Sequence, residues 1–469
     1  MLCLRGAWRS LSYAIVFVLF VAGIAQAQEQ STLVSSKPPI PRIVSENAET
    51  VPTRKSSLIY SYFDPVQGAS ANEIVRRALA ANGELAAARL EIERARARLR
   101  QAGLRPNPTV DVEQSTGRFT GSAGEGEVSV GIAVPIELGG KRRRRIELAR
   151  AELEASEAEV ADRERRLTNE VRALYAEALA AIRELSTLEE LNDLDLQTTR
   201  FVQARVNEGE TAPIELNQLR VEVERLRSRR ALVEGRLKGT LLKLKSLTGI
   251  GPTEILRLRE DLQHPVALPS PASVDAAVEI ALRSRPDLRF ARLSEEAAQA
   301  GLQLARAQAV PDLTPFTKYS NNRSVFEDTP VGVLRDRDKL LTLGVSIEIP
   351  IFNRNQGGKA EAAVAINQAQ RRREFLEAVI RSEVQSAYAR YEAAQAAVTT
   401  FEQGAIPRSS ENVRTIRAAY QIGAFSITDL LVEQRRLLDV QREFTEALAE
   451  RYRALADLQA AMGISVAQQ

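Results

Sequence analysis

The sequence predicts a mainly helical protein with a small β part, built as one unit written twice. Three observations carry that reading. The composition favours Ala, Leu, Glu and Arg with aromatics at only 5%, as in long packed helices. Two stretches of about 60 residues each are almost free of Gly and Pro. The chain also resembles itself at an offset of about 214 residues, aligning Leu247-Thr248-Gly249-Ile250 with Ala461-Met462-Gly463-Ile464, and Gly209-x5-Glu215-Leu216 with Gly423-x5-Asp429-Leu430. The charge balance suggests no nucleic-acid partner, because 64 Lys+Arg against 61 Asp+Glu leave a net +3 over 469 residues.

Residues 1–27 read as a secretory leader: Arg5 and Arg9, an apolar run from Leu11 to Ile24, then the small-x-small site Ala25-Gln26-Ala27. The apolar run falls short of the ~20 residues of a membrane-spanning helix. Cys3, the single cysteine, lies inside the leader, so no disulfide or thiol chemistry is expected beyond it. His264 and Met462 are then the only soft ligands, far apart in sequence. No metal site, cofactor or catalytic constellation is expected. Residues 28–68, with Lys37-Pro38-Pro39-Ile40-Pro41, read as an extended segment.

The first repeat spans 69–252 and the second 273–465, with a linker at 253–272 and a tail at 466–469. Each repeat opens on a helical stretch that meets proline, at Arg105-Pro106-Asn107-Pro108 and at Val310-Pro311-Asp312. Each continues into a long helix, roughly 142–205 and 359–420, which at ~1.5 Å per residue runs on the order of 90 Å. Return helices at about 213–248 and 427–462 carry Leu216, Leu219, Val223 and Leu226, then Leu430, Leu437 and Leu438, at helical spacing, so antiparallel coiled-coil packing is predicted.

Four short segments change period. Residues 341–349 set Leu341, Leu343, Val345, Ile347 and Ile349 opposite Thr342, Gly344, Ser346 and Glu348, and 128–134 set Val128, Val130, Ile132 and Val134 opposite Ser129, Gly131 and Ala133. Their partners, 109–114 and 313–319, alternate less regularly, and Pro315 weakens the second. The connections 115–126 and 320–340 read as polar loops, so each repeat contributes one hairpin, 109–134 and 313–349. Such alternation suits a soluble sheet or a lipid-facing barrel. In lipid, four strands leave open edges, which forces oligomerisation: two chains give a filled eight-stranded interior, three give twelve strands and room for a pore.

With these elements in order, the chain resembles the outer membrane efflux protein family, the TolC-like outer membrane factors, over essentially all of 69–465. The junctions Val134-Pro135-Ile136-Glu137-Leu138-Gly139-Gly140-Lys141 and Ile349-Pro350-Ile351-Phe352-Asn353-Arg354-Asn355-Gln356-Gly357-Gly358 look most like the cation-efflux subgroup that serves heavy-metal pumps. The resemblance implies a homotrimer with a twelve-stranded barrel in a Gram-negative outer membrane and a helical tunnel through the periplasm. It further implies docking on a periplasmic adaptor bound to an inner-membrane pump of the resistance-nodulation-division class, conduction of heavy-metal cations, and no enzymatic activity. A multidrug or protein exporter is the alternative within the class. A soluble periplasmic coiled-coil adaptor or spacer is the alternative outside it.

The turns at Arg205 to Gly209 and at Ala419 to Gly423 are expected to form the periplasmic tip and, by resemblance, the adaptor grip, with Glu215 and Asp429 at the start of the return helices. Glycine there is fully explained by helix termination alone. Tyr420 and Asp429 fall where the family carries a gate tyrosine and carboxylate. The second acid of many members is Val432 here, with Glu433 beside it. Lys141, Arg142, Arg143, Arg144 and Arg145 open a helix at the end where the macrodipole disfavours cations. Anionic lipid headgroups are therefore expected to compensate, with Arg354 and Lys359 as second-repeat counterparts. The plainer reading is a solvated face balanced by Glu147 and Glu152.

Overall fold

Each repeat begins with a helix that breaks early. Ser70 caps α1 (Ala71–Ala81) through a reciprocal box with Glu73, and Asn82 both ends α1 and caps α2 (Gly83–Ala102), its side chain accepting from the Leu85 amide at 2.9 Å. In the second repeat Ser273 caps α5 (Val274–Ser284), and Arg285, held extended by the proline after it, separates α5 from α6 (Pro286–Ala307). Sequence patterning reads each pair as one stretch. A single asparagine and a single Arg-Pro step divide them. The computed structural model describes residues 58–119, 124–263, 271–326, 332 and 334–464; the leader, His264 and the tail 466–469 lie outside the described residues.

The first long helix, α3 (Lys141–Asn207), runs unbroken for 67 residues and returns through α4 (Pro213–Thr248). Its second-repeat counterpart is not continuous. α7 (Gln356–Thr400) passes through a π turn at Phe401–Ala405 into α8 (Ile406–Gln421), and then returns through α9 (Ile427–Met462). Pro407, overlooked in the reading of 359–420 as one helix, lacks the amide that the ladder needs and crowds the carbonyl four residues back, and the widened turn absorbs both defects. Val171, Tyr175, Leu185 and Leu188 of α3, Leu237 and Leu244 of α4, and Leu448 of α9 are almost completely buried in one long core. Each such leucine contributes about 1.5–3 kcal/mol relative to exposure.

The segment before α1 and the linker between repeats hold each other. Leu258 is fully buried, its amide donating to the Tyr62 carbonyl at 2.8 Å while its carbonyl accepts from Asp64 at 2.9 Å. Tyr175 donates to the Ala69 carbonyl at 3.1 Å and accepts from the Glu260 amide at 3.3 Å. The described part of the extended segment is thus tied into the helical stalk.

β1 (Thr109–Thr116), β2 (Gly126–Ala133), β3 (Leu313–Phe326) and β4 (Leu334–Ile347) form one antiparallel sheet in that order. β2 pairs with β3, with Val130 opposite Tyr319, so the two hairpins fuse across the repeats. β3 and β4 stay paired as far as Phe326 and Leu334, which corrects the expectation of a loop over 320–340. Ladder hydrogen bonds hold this polar stretch extended although its side chains do not alternate apolar with polar. Pro315 remains in β3, its carbonyl accepting from Val134 at 3.1 Å.

Candidate functional site

Two regions concentrate the features singled out above: the turns at one end of the stalk and the sheet at the other. At the turns, α3 and α8 both end in a left-handed glycine, Gly209 and Gly423, each with φ 78°. Backbone closure is the same in both: Glu210 donates to the Arg205 carbonyl and Ala424 to the Ala419 carbonyl, each at 2.9 Å. Val202, Leu216, Leu219, Tyr420, Ile427, Leu430 and Leu431 pack between the four helix ends, so both turns sit on one small core. Arg205 pairs with Glu210 at 3.4 Å and lies over the Phe201 ring.

Tyr420 is buried and donates to Glu215 at 3.1 Å, joining the second repeat's outgoing helix to the first repeat's return helix. Burial, then the adjacent Glu215 carboxylate, pushes its phenol up to about 12. It therefore stays a donor through the neutral range. Asp429 sits in a capping box: its carboxylate accepts from the Ser426 hydroxyl at 2.6 Å and amide at 3.0 Å. Those bonds favour the charged form and hold its pKa low. Glu433 pairs with Arg436 instead of joining Asp429.

Above this core lies a polar layer that sequence reading passes over. Asp195 of α3 and Glu222 of α4 are both buried; Gln434 of α9 donates to Asp195 at 3.0 Å, and Arg435 to Glu222 at 2.7 Å. Burial, opposed by the Gln434 bond and reinforced by Glu222, raises the Asp195 carboxyl to about 6. A lone acid in a helix rich in acids carries no sequence signal. Only the packing of three helices marks it.

The basic run is compensated from within the chain. Lys141 pairs with Asp312 at 2.8 Å, Arg142 donates to the Gly103 carbonyl at 2.7 Å, Arg143 and Arg144 share Glu147, and Arg145 engages Glu137. An external anion is therefore not required by the helix dipole, which corrects that premise; the balancing acids are Glu147, Glu137 and Asp312 rather than Glu152. Asp312 also accepts from the Leu138 amide at 3.1 Å, so it ties the repeats together at the sheet–stalk junction. Asn355 precedes α7 in the left-handed region, φ 54°, and donates to the Ala305 carbonyl at 2.8 Å, a junction role also missed.

At the sheet, register assigns the faces. Val110 and Val112, Val128, Val130 and Ile132, Tyr319, and Leu341, Leu343, Val345 and Ile347 share one face, and all are exposed. The other face carries Asp111, Glu113, Ser129, Lys318 and Thr342, with Lys318 and Glu113 paired at 2.7 Å. No helix among the described residues is long and apolar enough to cross a membrane. From Leu341 to Ile347 the apolar column runs about 20 Å along β4, most of the ~25 Å apolar band of an outer-membrane barrel.

An exposed apolar sheet with a polar reverse face, carried on a long stalk of paired helices, defines a membrane-seated channel component. The chain belongs to the outer membrane efflux protein family, whose model matches residues 74–250 and again 277–464. It is 23% identical over 82% of its length to the cobalt-zinc-cadmium resistance protein CzcC of Cupriavidus metallidurans, covering 88% of that protein. It is 26% identical over 81% of its length to the pyoverdine export outer membrane protein OpmQ of Pseudomonas putida, covering 83% of it. Its fold matches a crystal structure of CusC with a TM-score of 0.69 at 23% identity, over 84% of this chain and 92% of that one. The family excludes the soluble adaptor reading, and the chain is an outer-membrane efflux channel component.

Proposed function

We propose that three copies close a twelve-stranded barrel and a helical tunnel that passively conducts heavy-metal cations from a periplasmic adaptor and an inner-membrane pump of the resistance-nodulation-division class to the cell exterior. The observation that carries this reading is the sheet: among the described residues β1 and β4 are unpaired edges flanking an exposed apolar face. Open edges are not tolerated in lipid and a broad apolar face is not tolerated in water, so the sheet fits a bilayer in which neighbouring copies supply the missing strands. Two copies give eight strands and a filled interior, whereas three leave a conduit. The tip, with Arg205, Gly209, Glu215, Gly423 and Asp429, is the adaptor-docking end. Tyr420 and Asp429 form the closing ring, with Glu433 behind them. At the opposite end Lys359 and Arg143, which is exposed although paired with Glu147, face the inner leaflet, and the other cations of the basic run turn to internal partners.

Kinship with proteins named for cobalt-zinc-cadmium and nickel-cobalt-cadmium resistance supports the cargo, while the likeness to pyoverdine exporters keeps organic cargo as the second reading. The assembly is tested by fractionating envelopes and comparing unheated with boiled outer-membrane extracts. A detergent-resistant band at three times the monomer mass is expected, and a soluble monomer would overturn the reading. Deletion should sensitise cells to cobalt, zinc and cadmium; sensitivity to organic compounds alone would shift the cargo to the second reading.

A further inference from the structure

The upper part of the second hairpin carries a charge pattern that the conduit does not use. Beyond the apolar column, the same face of β4 continues as Lys339, Arg337 and Arg335, and Arg323 of β3 stands directly opposite Arg337. All four are exposed. The acids of this stretch, Asp336 and Asp338, alternate onto the other face. Among the described residues none of the four cations has an ion-pair partner. Like charges set directly opposite across a strand pair are destabilising, so the arrangement favours a neighbouring anion. These cations lie at the hairpin end, away from the stalk.

Resting on the barrel reading above, we infer that Arg323, Arg335, Arg337 and Lys339 form a binding site for the phosphate groups of an anionic glycolipid in the outer leaflet. The apolar column below them seats the acyl chains, and guanidinium groups suit phosphate through paired donors. Tyr319, on the same face opposite Leu341, marks the level where apolar gives way to charged. Charge complementarity and vertical position select one occupant, a phosphorylated lipid whose tails run down the barrel wall. A soluble anion would need no apolar face beneath it.

The test uses the full-length protein purified in neutral detergent, with lipid A carrying both phosphates as probe and its dephosphorylated form as control. Binding and the thermal dissociation of the oligomer are read together. The phosphorylated lipid should bind at least tenfold more tightly than the control, raise the dissociation temperature and weaken with salt. The variant R323Q/R335Q/R337Q/K339Q should lose that preference while still forming the oligomer, and D336N/D338N, on the opposite face, should keep it. Equal binding of both lipids, an undiminished preference in the quadruple variant, or the same stabilisation by millimolar inorganic phosphate alone would overturn the site while leaving the barrel intact. Failure of the unaltered protein to form an oligomer would overturn the barrel and the site together.

Discussion

Among the carboxyls of the described residues, Asp195 is moved well above its ordinary range. A carboxyl moved from 3.8 to about 6 by burial destabilises the folded tip at neutral pH by on the order of 3 kcal/mol. The sign follows from the raised folded pKa: the folded state holds the proton longer, so this contribution favours folding at low pH and is lost as pH rises from about 4 through 6. Gln434 Oε1 has no partner among the described residues, so an amide at 195 supplies a donor where the carboxylate cannot. Asp195→Asn should therefore raise the melting temperature at pH 7.5 and flatten its dependence between pH 4 and 6; a lower melting temperature at both ends would sink the assignment. Asp429 calls for a different separation. Its charge and its capping role are independent, and Asp429→Asn removes the first while retaining an acceptor for Ser426. In planar bilayers Asp429→Asn should lower cation selectivity with little loss of stability, whereas Asp429→Ala should also lower the melting temperature by removing the N3 half of the capping box around Ser426. Unchanged selectivity in both variants would remove Asp429 from the constriction.

The two tip turns are the same element twice, and their glycines show where sequence reasoning suffices. Gly209 and Gly423 both occupy the left-handed region, and a Cβ at either position meets nothing within 4 Å. The cost of substitution is thus conformational, about 1–2 kcal/mol and more for a β-branched residue. Gly209→Val and Gly423→Val should weaken cross-linking to the adaptor and metal resistance while the oligomer survives, and full resistance in the double variant would refute docking through these turns. Helix ends were legible because glycine, proline and capping residues act locally. The breaks at Asn82 and Arg285 leave little trace because their flanks keep helical periodicity, and the turn at Phe401–Ala405 because Pro407 stands alone in a long stretch of helix formers. β3 and β4 were read short for a related reason: residues 320–326 and 334–340 are paired by backbone bonds, which leave no trace in side-chain alternation. Neither the Tyr420–Glu215 bond nor the Asp195 layer was legible, since both join residues about 200 or more positions apart.

Across the whole molecule the open question is how many copies close the sheet, and the strand order makes it answerable with one pair of cysteines. The only natural cysteine, Cys3, lies within the predicted leader. β1 and β4 are opposite edges of the sheet with β2 and β3 between them, a separation of roughly 14 Å at ~4.8 Å per strand. A disulfide needs Cα atoms within about 7 Å, so cysteines on β1 and β4 of one chain cannot reach each other. Positions on the polar face avoid disturbing the apolar band: Asp111 on β1, combined in separate variants with Thr342 or Ser346 on β4 to sample the register. Oxidation of outer membranes carrying these pairs should convert monomer to a ladder that stops at three, because the third bond closes the ring and leaves no free edge. A ladder ending at two would mean an eight-stranded barrel with a filled interior, and the conduit would fail with it. An open ladder running past three would mean edge-to-edge assembly without closure. Absence of cross-links at every register sampled, in protein that still migrates as an oligomer, would mean that the helical stalk holds the copies together and that the sheet edges do not meet.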